Sequence, residues 1–158
     1  MYTRFENISS EARVWIYILS EKLTKSKTQQ LENNLVDICN LWKSHGKIIT
    51  STYLIYKNQF ILFFAEEDEI SGCSIDSTNN NLRKILNQLN INLDSNSKIG
   101  IFIDDKVVLN NRDSVIDLIK KKHINKSNKM INTTVINKRD YINNWILTIE
   151  NSWLNNFI

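Results

Sequence analysis

One short segment, residues 71–77 with the sequence SGCSIDS, combines a thiol with several small polar side chains. It comes directly before a predicted amphipathic helix. At such a position, free backbone N–H groups and the positive end of the helix dipole stabilise a thiolate or bind an anion. The segment is therefore a candidate binding loop, or the site of a reactive thiol. The candidate residues are Ser71, Gly72, Cys73, Ser74, Asp76 and Ser77.

The same segment also fits a structural capping loop, in which Ser74, Asp76 or Ser77 satisfies the start of the helix and Cys73 fills a pocket. Two arguments favour this interpretation. The carboxylates at 66–69 disfavour a second negative charge nearby. In addition, we expect the two main helices to run parallel, which places His45 and Cys73 about 20 Å apart. That distance excludes a Cys–His dyad, and we assign no catalytic residue.

Trp42 and His45 are secondary candidates: Trp42 is the last member of the apolar stripe of the first predicted helix, and His45 follows it. Each also has a structural explanation. An imidazolium near a helix C-terminus is stabilised by the dipole, and a Trp at the end of a stripe usually belongs to the core. His45 and Gly46 together are a plausible helix ending.

Nucleotide-hydrolysis motifs and zinc motifs are excluded by counting. The chain has three glycines, Gly46, Gly72 and Gly100, so neither GxxxxGK[ST] nor GxGxxG occurs. Its cysteines and histidines form no CxxC or HxxxH pair, so structural zinc is not expected. We therefore expect no metal, no cofactor and no ATP bound through a phosphate loop.

The composition is that of one globular domain. Of the 158 residues, 42% are hydrophobic and 23% are charged, far from the values of disordered chains. The longest apolar run, residues 60–65, is too short to span a bilayer, and residues 1–11 do not form a signal peptide. Two cysteines make no disulfide framework. A cytoplasmic location without membrane contact is the expectation.

Charge is distributed unevenly along the chain. Residues 66–69 form an acidic run, whereas residues 98–140 contain ten basic and five acidic side chains, including Lys120, Lys121 and Lys122. A basic stretch of this kind can bind nucleic acid. The alternative is a solvated helix end, where the dipole favours lysine. RNA or a protein is accordingly the expected kind of partner.

The order of elements predicts an α+β fold. Strands are predicted at 13–19, 51–56, 60–66 and 98–104, with amphipathic helices from 27 and from 78. This is the order of a ferredoxin-like βαββαβ core. We predict a single domain over 1–158, with the core at about 12–105 and a C-terminal helical extension at about 106–158. The helical stripes are Leu31, Leu35, Ile38, Cys39 and Trp42, then Thr78, Leu82, Ile85, Leu86 and Leu89.

The predicted strands are apolar on both faces, so something must cover the face away from the helices. One interpretation is that the C-terminal third folds back over it. The other is a platform that stacks RNA bases. Ile16-Tyr17-Ile18 resembles the first-strand motif of RNA-recognition domains, although the third strand lacks their Arg/Lys-Gly-aromatic signature. In the first interpretation, the residues of the C-terminal third that cover the sheet would be Tyr141, Trp145, Leu147, Ile149 and Trp153.

Several motifs spread over nearly the whole chain support a resemblance. They are Ala12-Arg13-Val14-Trp15-Ile16-Tyr17, Trp42-Lys43-Ser44-His45-Gly46, Phe60 with its apolar strand, SGCSIDS, Trp145, and Ser152-Trp153 through Phe157. The chain resembles a small family of uncharacterised bacterial proteins from the Bacteroidota, which automated naming often labels "ABC transporter ATPase". The family has no established activity, so the resemblance implies no catalytic residue. The sequence does not support this label. A transporter ATPase needs a phosphate loop and a Gly-Gly-containing signature, and residues 70–73 contain only one glycine. The family's ending carries basic residues where this chain has Asn155 and Asn156.

Together these patterns favour a non-enzymatic binding or assembly domain that acts through an RNA or protein partner. The alternative is a small enzyme that uses the loop around Cys73 as a reactive thiol.

Overall fold

The computed structural model describes residues 1–66 and 70–158. It confirms an α+β fold. Residues 67–69 of the acidic run lie outside the described residues. The chain divides into two compact units, residues 1–94 with 136–139 and residues 95–135 with 140–158. One domain over 1–158 stays a prediction. No helix in the described ranges is long and apolar enough to cross a membrane.

The helices and strands follow one another in this order along the described chain: β1 (Arg13–Ile18), α1 (Lys25–Leu41), β2 (Lys43–Ser44), β3 (Lys47–Ile48), β4 (Ser51–Tyr56), β5 (Phe60–Ala65), α2 (Gly72–Gln88), β6 (Ile99–Ile103), β7 (Lys106–Asn110), α3 (Arg112–Lys120), β8 (Lys129–Ile131), α4 (Lys138–Asn144) and β9 (Ile146–Thr148). Short 3-10 helices occur at Phe5–Asn7, Ile149–Asn151 and Trp153–Phe157.

The first unit contains an antiparallel sheet in the order β1-β5-β4. The hairpin between β4 and β5 is confirmed as predicted, with Tyr56 opposite Phe60. Its link turns at Lys57 and Asn58, whose φ angles of 51° and 56° belong to the mirror-image turns that hairpins favour. The fully apolar β5 is buried along its whole length, as expected of the central strand.

The core of the first unit lies between this sheet and the helices α1 and α2. Both predicted stripes are confirmed, because most of their apolar members are buried, as are the β5 residues that face them. Fully burying a Leu or Phe side chain stabilises the fold by about 1.5–3 kcal/mol. The fully buried members are Leu31, Leu35, Cys39, Ile61, Phe63, Ala65, Leu82 and Leu86.

Trp15 and Tyr17 lie on the helix side of the sheet. Trp15 contacts Trp42 at a ring distance of 5.3 Å, and the Tyr17 hydroxyl donates to Asn79 of α2. Neither aromatic therefore lies on the opposite face, where the platform hypothesis needs it. On that face Phe64 has no exposed surface and is contacted edge-on by Phe5 at 5.2 Å. Cover by the C-terminal third remains a prediction.

The ferredoxin-like topology is not confirmed. The order β1-β5-β4 does match the split βαβ arrangement, but the predicted fourth strand, β6, belongs to the second unit and pairs with β7 and β8. Asp104 and Asp105, with φ of 48° and 62°, turn the chain directly from β6 into β7. A local hairpin of this kind closes at lower entropic cost than a pairing with a distant strand.

The second unit contains the antiparallel sheet β7-β6-β8-β9. The predicted helical extension at about 106–158 is therefore only partly correct: it contains α3, but strands lie on both sides of this helix. The core of this unit is small and apolar. It comprises Ile99, Ile101, Val115, Ile124, Met130, Ile149 and Leu154.

Candidate functional site

The SGCSIDS segment forms the first turns of α2 rather than a loop before it. Ser71 is the N-cap, and its hydroxyl oxygen accepts a hydrogen bond from the Ser74 backbone N–H at 3.1 Å. The prediction that Ser74, Asp76 or Ser77 caps the helix is thus wrong. Serine is a strong N-cap wherever it first occurs, and none of the following residues opposes the helical conformation strongly enough to delay it.

Two residues of the segment join it to the end of α1. The Trp42 indole N–H donates to the Ser74 hydroxyl at 2.9 Å, and that hydroxyl donates in turn to the Lys43 carbonyl. The Ser71 N–H donates to the Ser44 hydroxyl at 3.2 Å. We call Trp42, Ser44, Ser71 and Ser74 the serine cluster. It satisfies polar groups at a covered junction, which is a structural role.

The orientation of the two helices differs from the prediction. Trp42 and Ser74 join the end of α1 to the start of α2, and Lys27 Nζ donates to the Asn90 carbonyl at 3.1 Å beside the opposite ends. The helices are therefore antiparallel. Each helix returns over the strand that precedes it, and β1 and β5 are themselves antiparallel. The parallel arrangement was wrong, and the separation of about 20 Å between His45 and Cys73 that followed from it does not hold.

His45 lies in a hairpin turn and not in the last turn of a helix. The helix α1 ends at Leu41, and Trp42 is already extended, with φ −67° and ψ 119°. His45 and Gly46, with φ of 50° and 76°, form the two-residue turn between β2 and β3. The predicted helix ending at these residues is wrong, and so is stabilisation of the imidazole by the dipole of α1.

The remaining residues of the segment face solvent. Gly72, Cys73, Asp76 and Ser77 are exposed, so the expectation that Cys73 fills a pocket is wrong. Cys39 is buried, and burial raises the pKa of its thiol from 9.0 to about 11. Across residues 1–66 and 70–158, no group of three or more His, Cys, Asp or Glu side chains is placed to hold a metal ion.

Replacing Ser74 by Ala is expected to lower the free energy of unfolding by about 2 kcal/mol, because the buried Trp42 N–H and the Lys43 carbonyl both lose their partner. Urea unfolding followed by tryptophan fluorescence measures the loss. Ser77→Ala is the matched control in the same helix turn; Ser77 is exposed, and its loss should stay within about 0.5 kcal/mol. Equal losses for the two variants would contradict the structural role of the cluster.

The second unit contains a cavity of about 450 Å³ that the sequence did not indicate. We call it the Trp153 cavity, after the one aromatic side chain that lines it. Lys98 and Arg112 contribute positive charge, and Asp113 contributes one negative charge. Hydroxyl and amide groups complete the wall. These polar lining residues are Asn96, Ser97, Asn111, Thr133 and Thr134.

Local capping places the cavity's key side chains. Asn111 caps α3 by accepting from the Ser114 N–H at 2.8 Å, which sets Arg112 and Asp113 on the first turn. Ser152 caps the last 3-10 helix by accepting from the Leu154 N–H at 3.2 Å. Leu154 is fully buried and anchors this helix, so Trp153 projects from a fixed backbone and is 36% exposed.

Arg112 is held in place by two neighbours. Its guanidinium carbon lies 4.8 Å above the ring centre of Phe157, and its Nε lies 3.5 Å from a carboxylate oxygen of Asp113. The contact with Asp113 involves Nε and not the terminal nitrogens. The terminal N–H groups are the donors that an anion would use.

Comparison with protein-family models, with curated proteins and with solved structures found no match for this chain. The candidate site therefore rests on the geometry and chemistry of its own residues.

Proposed function

We propose that this chain is a non-enzymatic RNA-binding domain and that RNA binds in the Trp153 cavity. The observation that carries the proposal is that the exposed indole of Trp153 and the two cationic side chains of Lys98 and Arg112 line the same cavity of about 450 Å³. Cavities that enclose one drug-sized group have about 300–1,000 Å³. One nucleotide is a group of that size.

The cavity's chemistry matches the parts of a nucleotide. An indole stacks on any base, and each such stack contributes about 1–3 kcal/mol. Arg112 and Lys98 suit a phosphate group, one as a planar fork and the other as a point charge. Asp113 reduces the positive charge of the lining to +1, from two cations and one carboxylate. Because Asp113 contacts the Nε of Arg112, it also orients that guanidinium.

The hydroxyl groups of the wall favour RNA over DNA. Ser97, Thr133 and Thr134 each both donate and accept hydrogen bonds. The ribose 2′-hydroxyl has the same two capacities, and it is the group by which proteins distinguish RNA from DNA. The reactive-thiol alternative has less support, because Cys73 is exposed on the first turn of α2 and is not among the residues that line the Trp153 cavity.

Fluorescence anisotropy with a labelled single-stranded RNA tests the proposal. Trp153→Ala should weaken binding about tenfold, and Trp153→Phe should retain most of the affinity. Lys98→Ala should weaken binding and reduce the slope of log affinity against log salt by about 1, as loss of one phosphate contact does. A DNA of the same sequence should bind more weakly.

The matched control for charge is Lys106→Ala. Lys106 is an exposed lysine of the same unit on β7, outside the residues that line the cavity. It should leave the affinity and the salt slope nearly unchanged. Equal binding by Trp153→Ala and the wild-type chain would overturn the proposal. RNA that fails to bind the wild-type chain would also overturn it and would make a protein partner the better candidate.

A further inference from the structure

A second cavity adjoins the Trp153 cavity within the same unit. It measures about 330 Å³ and is lined by Asp113, Ile116, Asp117, Lys120 and Phe157. Asp113 lines both cavities. The proposed RNA site therefore continues along α3 from its first turn toward Lys120. We call this second space the Phe157 cavity.

Each cavity has one aromatic wall, and the two aromatics form a pair. The ring centres of Trp153 and Phe157 are 5.9 Å apart, and their planes meet at 81°. Phe157 is 51% exposed although Arg112 lies over its ring. An exposed aromatic can stack on a base, and successive bases of a single strand stack on successive aromatic side chains. Two such surfaces in adjoining cavities suit two neighbouring bases.

The charges permit a phosphate at the junction. Arg112 lines the first cavity and lies over the ring of Phe157, which lines the second, so it lies where the two meet. Lys120 adds a positive charge to the second cavity. Of its two carboxylates, Asp117 is paired with Lys121 at 2.7 Å, and Asp113 contacts Arg112. The local cations therefore offset the repulsion that these carboxylates would exert on a phosphate.

We propose that the two cavities together bind two successive nucleotides of single-stranded RNA. One base stacks on Trp153, the next stacks on Phe157, and the phosphate between them contacts Arg112. This inference rests on the proposed function, because the first nucleotide occupies the Trp153 cavity. It adds a defined site size of two nucleotides and a second stacking residue.

A length series separates the inference from the proposed function. Isothermal titration calorimetry of the full chain would use adenosine 5′-monophosphate and the 5′-phosphorylated adenylate dimer and trimer. We expect the dimer to bind about tenfold more tightly than the monophosphate, as one added stack predicts, and the trimer to gain little more. Phe157→Ala should abolish the gain of the dimer. The gain is the ratio of the dimer affinity to the monophosphate affinity in the same variant, because Arg112 lies over the Phe157 ring and its displacement would affect both ligands.

Two further variants keep the result interpretable. Phe157→Leu retains an apolar side chain and should lose the gain as well, whereas Ile158→Ala, a neighbouring exposed residue outside the second cavity, should retain it. If the dimer keeps its gain in both Phe157 variants, the second subsite is wrong and the proposed function stands. If a longer RNA also fails to bind the wild-type chain, both proposals fall.

Discussion

Lys138→Met is expected to lower the free energy of unfolding by about 3 kcal/mol. Lys138 is only 8% exposed. Its ammonium group donates to the carbonyls of Phe5 at 2.7 Å and Ile8 at 2.8 Å, and more weakly to that of Glu6 at 3.4 Å. It also lies 4.7 Å above the ring centre of Phe5. These contacts close the end of the first 3-10 helix.

The size of the effect follows from what the methionine leaves behind. A hydrogen bond from a charged donor contributes about 1.5–3 kcal/mol, and a covered carbonyl left without a partner costs about 1–3 kcal/mol. Removing a covered charge offsets part of this loss. Methionine nearly preserves the volume of the lysine stem, so the loss reports on the ammonium group. Urea unfolding followed by tryptophan fluorescence measures it.

Arg139→Met is the matched control. Arg139 is the next residue, and it is exposed; its guanidinium pairs with Glu11 and donates to the Ser10 hydroxyl at 3.2 Å. Exposed ion pairs contribute at most about 1 kcal/mol. If Lys138→Met lowers the free energy of unfolding no more than Arg139→Met does, the hydrogen bonds from Lys138 to the carbonyls of residues 5–8 do not stabilise the fold.

The parts of the fold that local patterns encode could be predicted from the sequence. The apolar stripe from Leu31 to Cys39 repeats at helical spacing, so α1 could be predicted without knowing which elements it packs against. The β4–β5 hairpin follows from two apolar runs joined by three polar residues. In both cases the determining interactions lie within about a dozen residues of sequence, where propensity and periodicity act directly.

The errors arise where the local pattern is compatible with more than one structure. The apolar strand β6 was predicted correctly as a strand, but its pattern suits any sheet, and only Asp104 and Asp105 hinted that it turns into β7. The Ser71 cap was missed because several residues of the same segment are equally good caps. The antiparallel helices were missed because their direction depends on strand pairing, which periodicity does not report.

The candidate site shows the same limit more strongly. Trp153 was expected to cover a sheet face, and Lys98 and Arg112 were counted only as members of a basic stretch. The cavity that they line takes residues from four separate stretches between Asn96 and Trp153, with no fixed spacing among them. Lys138 likewise looked like any of the chain's lysines, because the carbonyls that hold it lie some 130 positions away in sequence.

The free energy of unfolding is expected to fall as the pH rises from about 9 to 12, and Tyr17 should cause a large share of the fall. Burial raises the pKa of Tyr17 from 10.0 to about 12, although the positive charge of Arg83 acts in the opposite direction. Between these two values the unfolded chain has released the phenol proton and the folded chain still holds it. Raising the pH therefore lowers the free energy of unfolding. The stability that depends on the neutral Tyr17 phenol is fully present below about pH 10 and is lost as the pH rises to about 12.

Tyr17→Phe removes the titrating group while keeping the ring against Phe63. The variant loses the hydrogen bond to Asn79 and should be about 1 kcal/mol less stable near pH 8. Two pKa units correspond to roughly 2.7 kcal/mol, and partial exposure reduces this to roughly 2 kcal/mol for the wild-type chain at about pH 12 and above. Near pH 11, midway between the two pKa values, about half of this loss is expected. Urea midpoints of both chains near pH 8 and near pH 11 measure the difference. Burial also raises the pKa of Tyr53 to about 12 and that of Cys39 to about 11. The free energy of unfolding of the variant should therefore still fall at high pH, but by less than that of the wild-type chain. An equal loss in both chains would show that Tyr17 does not keep its proton in the folded state, and its place between β1 and α2 would then be wrong.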